Sequence, residues 1–110
     1  MIEETIKQIE ARIHSAESFT PEKRTELVEL LAKLRAEAGE LAKTHGEQAQ
    51  SIVGFAQVTA HEATRTDQDP KLLDLSLEGL RSSVQDFEKS HPRLAQIVNT
   101  ISTTLSNSGI

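Results

Sequence analysis

The chain has no cysteine, no tryptophan and no tyrosine, and Phe19, Phe55 and Phe87 are its three phenylalanines. Without cysteine there is no disulfide, no thiolate metal site and no thiol nucleophile. That fits a reducing compartment. Scarce aromatic rings leave few platforms for stacking bases, and a net charge of −5 spread along the chain repels phosphate. Nucleic acid is therefore a poor partner. No apolar run approaches the roughly 20 residues that span a bilayer, so no membrane partner is expected. Met1-Ile2-Glu3-Glu4 is acidic where a signal peptide is basic, and a cytoplasmic protein is expected. With so few rings, the core has to be aliphatic.

What the sequence does have is helical periodicity. At 110 residues it makes one domain, with a modest core that packing against a second copy would enlarge. In a first helix, about 2–16, Ile2, Ile6, Ile9, Ile13 and Ala16 form a strict stripe. Isoleucine at both seam positions belongs to self-associating parallel coils. The stripe serves either an intramolecular bundle or an intermolecular seam. Thr20-Pro21-Glu22 is a strong start for a second helix, about 21–44, with Phe19 plugging the end of the core. Its broad face is Leu27, Leu30, Leu31, Leu34, Ala38 and Leu41. Gly39 inside it costs about 1 kcal/mol relative to alanine, which close approach of a neighbouring helix would offset.

His45-Gly46 reads as a helix stop, with Gly46 in the left-handed conformation. A third helix, about 47–65, follows with a small-residue face of Ala49, Ile52, Val53, Ala56, Ala60 and Ala63. Helices two and three make either a hairpin or one bent rod. Asp69-Pro70 opens a fourth helix, about 70–89, striped by Leu73, Leu77, Leu80, Val84 and Phe87. Ser90-His91-Pro92 is a structural joint, with either Ser90 or His91 capping the last helix, about 92–107. That helix carries Leu94, Ile97, Val98, Ile101 and Leu105, and Gly109-Ile110 closes it. Nothing reads as a strand. The expected fold is all-α, an antiparallel bundle of four to five helices with coiled-coil-like packing.

Chemistry is hard to find. Glu88-Lys89-Ser90-His91 has the Glu-x-x-His spacing of di-iron bundles, but those need it on two helices with further glutamates. His61-Glu62 lacks the second histidine of a zinc-protease motif. No nucleophile elbow or Gly-rich phosphate loop is present. No catalytic residue, cofactor or metal ligand is assigned. Phe55 and Val58 lie off the main face of their helix, and so does Leu75. Together with Ile2, Ile6, Ile9 and Ile13 they are the candidate interface. The expected function is a non-catalytic interaction or structural module that self-associates, a dimer being favoured, or that binds a partner helix. The alternative is a bundle binding a metal or small molecule, with enzymatic chemistry around His61, Glu62 or His91.

One stretch is distinctive as a motif. Phe87-Glu88-x-x-His91-Pro92-x-Leu94, followed by Leu105-Ser106-Asn107-x-Gly109-Ile110, resembles the ending of a family of short, uncharacterised bacterial proteins, a domain of unknown function. Leu75-Ser76-Leu77-Glu78-Gly79-Leu80 and Ala60-His61-Glu62-Ala63-Thr64 are similar to a longer subgroup of it. The resemblance implies a bacterial, helical, soluble protein in which His91-Pro92 and Gly109-Ile110 matter. It brings no known activity.

Overall fold

Three helices begin on a proline. Proline lacks the N–H that a first helical position leaves unpaired in any case, and the residue ahead of it provides the cap. The Thr20 hydroxyl accepts from the Lys23 amide at 3.2 Å. The Asp69 carboxylate accepts from the Lys71 and Leu72 amides at 3.0 and 3.4 Å. At the third start the His91 carbonyl accepts from the Ala95 amide at 3.2 Å. The Ser90 hydroxyl instead lies 3.0 Å from His91 Nδ1. His91 thus holds the cap position through its backbone.

The structure, a computed structural model, describes residues 1–108. Its helices are α1 (Ile2–Ser15), α2 (Pro21–Ala42), α3 (Gly46–Thr64), α4 (Pro70–Gln85) and α5 (Pro92–Ser108). Among the described residues there is no strand, and no helix is long and apolar enough to cross a membrane. The expected closing pair, Gly109-Ile110, lies outside the described residues.

Long-range contacts give the helix directions. Arg35 meets Glu3 at 3.7 Å and Arg24 reaches the Ala16 carbonyl at 2.7 Å, so α1 and α2 are antiparallel. Gln8 bonds Gln57 and Arg12 bonds Thr64, so α1 runs parallel to α3. Thr59 reaches Ser76 and His45 reaches Phe87, which makes α3 and α4 antiparallel. Thr104 bonds Glu26, bringing the far end of α5 back to the start of α2. The helices α2 to α5 close a four-membered ring, and α1 lies along the groove between α2 and α3.

The third helix is the hub, packing against all four of the others. Ala49, Ala56, Ala60 and Ala63 are buried along it, and small side chains let several neighbours approach one axis. Leucines and isoleucines from the surrounding helices fill the space this leaves. Leu34, Leu41, Leu80 and Leu94 are all fully buried.

Several expectations need correction. The isoleucine stripe of α1 is consumed inside the chain: Ile6, Ile9 and Ile13 are buried in the common core, and Ile2 packs half-buried against it. No seam is left on α1 for another molecule while the bundle is closed. The bent rod is also ruled out. Residues 43–45 turn the chain, with the His45 amide donating to the Leu41 carbonyl at 2.8 Å. Gly46 is the first residue of α3 rather than a left-handed stop, and no described glycine has positive φ. The turn is made by His45 itself, at φ −135° and ψ 62°. The fourth helix ends at Gln85, four residues before the expected 89. The chain there tightens into three-residue turns, with Phe87 N–H bonding the Val84 carbonyl at 2.9 Å. Phe87 keeps the stripe position that its spacing from Val84 predicts and stays buried through the tightening. The remaining one- or two-residue differences are ordinary for helix ends.

Gly39 is not explained by close packing either, since a Cβ built there meets nothing within 4 Å. The helix-propensity cost stands without compensation, so Gly39→Ala is expected to stabilise the protein by about 0.5–1 kcal/mol. Thermal and urea unfolding followed by circular dichroism at 222 nm, the usual helix wavelength, would measure it.

Candidate functional site

The residues off their helices' stripes are exposed on the packed pair α3 and α4. Phe55 and Val58 of α3, and Leu75 and Leu72 of its antiparallel neighbour α4, are the large apolar side chains these two helices leave exposed, at 41, 49, 55 and 42% respectively. Phe55 leans on α4, while Val58 borders a shallow cleft with Arg12, Gln57 and His61. The seam beneath is tied by Thr59, a fully buried residue whose hydroxyl lies 2.8 Å from the Phe55 carbonyl and 3.1 Å from that of Ser76. The Phe55 ring crosses the seam and rests on Gly79. A Cβ at residue 79 would come within 2.5 Å of the ring. Gly79 is therefore the seat that holds Phe55 across the two helices.

From Phe55 toward the start of α3 the face hollows into an open trough of about 530 Å³. Phe55 and Gly79 form one end, and His45 and Phe87 form the other. Between them the lining is short: Ser51, Ser82 and Ser83, with Gln48 and Asp86 on the rims. Bulk at the ends and hydroxymethyl groups between them are what make the hollow.

Phe87 is buried between two histidines. Its ring centre lies 5.4 Å from that of His45 and 5.7 Å from that of His91, both edge-to-face at 77° and 82°. Such contacts contribute roughly 0.5–1.5 kcal/mol each. The histidines are held alike. His45 Nδ1 is 2.8 Å from the Thr44 hydroxyl, and His91 Nδ1 is 3.0 Å from the Ser90 hydroxyl. Thr44-His45 and Ser90-His91 are the same device at two helix joints, brought together by the hairpins. The sequence carried that signal, a hydroxyl residue followed by histidine at both joints, but the pairing itself is tertiary.

The other candidate groups do not converge. Glu62 is nearly buried and held by Arg65, with Nη1 to Oε1 at 2.9 Å. The hydrogen bond to Glu62 and then its charge raise the Arg65 pKa above the ordinary value and keep the guanidinium charged. His61 is exposed, with Nε2 4.0 Å from Glu62. The Gln68 side chain donates to the Ala63 carbonyl at 2.6 Å, so this corner closes the end of α3. His61 lies about 24 Å along α3 from His45 at 1.5 Å per residue, and His91 is at the His45 end, where both rings meet Phe87. Glu88 borders the clefts beside α5, whereas His91 turns to Phe87. Among the described residues no three acidic, histidine or cysteine side chains are grouped to hold a metal.

A family model described as a domain of unknown function, DUF4404, matches residues 2–110, and the chain belongs to that family. No curated protein and no solved structure matches it.

Proposed function

We propose that this DUF4404 chain is a non-catalytic helical interaction module that pairs with a second copy of itself through the α3/α4 face. The observation that supports this reading is that four of the five exposed large apolar side chains among the described residues, Phe55, Val58, Leu72 and Leu75, belong to the packed pair α3 and α4. Single apolar residues are ordinary on a surface; four on one helix pair favour contact. A two-fold pairing uses the same patch twice, so one self-complementary surface suffices. A standard interface takes about 800 Å² from each partner, roughly an eighth of this chain's 6488 Å² surface. The absence of cysteine suits a reducing, cytoplasmic setting.

The test is the mass in solution. Chromatography with light scattering and refractive-index detection suits a chain without tryptophan or tyrosine. The expected result is twice the 12.1 kDa chain mass at high concentration, dissociating on dilution. Phe55→Asp and Val58→Asp should each weaken association at least tenfold, because each buries a carboxylate without a partner. A wild-type chain that stays monomeric from micromolar to millimolar concentration would overturn the reading, as would unchanged association in both variants.

A further inference from the structure

We propose that the α3/α4 trough binds a small organic ammonium ion with an apolar body. Two of the three phenylalanines in the whole chain, Phe55 and Phe87, stand at its two ends. His45 adds a third ring. The volume of about 530 Å³ is that of a small-molecule pocket. Aromatic rings attract cations through their quadrupole; Phe55 is the exposed ring of the trough, whereas Phe87 is buried, and the serines leave room for an apolar chain between them.

The charge balance sets the sign. The trough lies where the start of α3 meets the end of α4. Those helix ends carry opposite partial charges, which offset one another. Asp86 is then the formal charge in the lining, and no lysine or arginine lines it. Glu47 adds a second carboxylate in the first turn of α3. Lys43, at the same joint, is taken up by Glu40 at 3.2 Å. Asp86 is itself the C-terminal cap residue of α4, an unfavourable end for a carboxylate. A bound cation would offset that cost.

The inference does not depend on self-association, although Phe55 serves both. The test uses phenylpropylammonium, with phenylpropanol and phenylpropanoate as its neutral and anionic counterparts, titrated into the full chain and read from amide shifts by NMR. The ammonium ion should move the amides of Gly79, Ser82 and Asp86 and saturate in the millimolar range, as its size allows. It should bind about three- to fivefold more tightly than the alcohol, and the carboxylate should bind weakest. Asp86→Asn, an exposed position, should erase that preference and leave the alcohol's affinity unchanged. Leu75→Asp lies outside the trough and should not alter any of the three affinities, which separates this site from the contact face. Equal affinities for cation and alcohol, an undiminished preference in Asp86→Asn, or no shift along the trough would each overturn the proposal.

Discussion

Ile6→Ala is expected to destabilise the protein by about 2–4 kcal/mol, through lost burial and the cavity left behind. For a chain of this size that is a fall in Tm of about 10–20 °C, a large share of the 5–15 kcal/mol that holds most domains together. Ile6 is fully buried, between α2 and α3, in the groove that α1 fills. The loss should be the same at every protein concentration, because the residue is covered by its own chain. Thermal unfolding across a hundredfold dilution measures this. A loss that grows on dilution would mean that the isoleucines are covered by another molecule, which contradicts the fold described above.

The second large effect runs in the opposite direction of volume. Ala60→Leu should cost about 1–3 kcal/mol, although leucine is an excellent helix former and more apolar. Ala60 is fully buried on the hub, where every added methylene pushes a neighbouring helix away. Ala32→Leu is the control. Residue 32 faces solvent on α2, and the same change there should stay within about 0.5 kcal/mol. Urea unfolding of the pair, compared at equal slopes, separates crowding from helix propensity. Equal stabilities would show that α3 is not packed as tightly as its alanines require.

Most of the fold was legible because local signals agree. Each proline falls at a helix start, each stripe has helical spacing, and Phe19 is buried where a plug was expected. Errors came where a local rule had two outcomes. The α1 isoleucines satisfy an inner seam and an outer one equally well, and only the groove between α2 and α3 decides. Glycine after histidine suggests a left-handed stop, but His45 can make the turn and Gly46 can start the next helix. The end of α4 comes four residues early because the backbone switches to three-residue turns at Phe87 and Glu88, a change the apolar spacing does not register, since Phe87 is buried either way. On the candidate face, Phe55, Val58 and Leu75 were visible as misfits to their stripes. Leu72 was hidden by Leu73, since two adjacent leucines cannot both face inward. The trough was not legible at all, because it consists of small residues opposite one another on two helices.

The pattern of helix neighbours also bears on how quickly the molecule assembles. Contacts join each helix to the next, α3 additionally to α1 and α5, and α5 to α2. Four of these seven helix pairs therefore form between segments that leave the unfolded state side by side, and two more skip a single helix. Helical chains with such short-range wiring fold on the microsecond-to-millisecond scale. The α2–α5 junction spans the greatest sequence separation and carries the largest loop-closure entropy, which makes it the natural last step in the order of assembly.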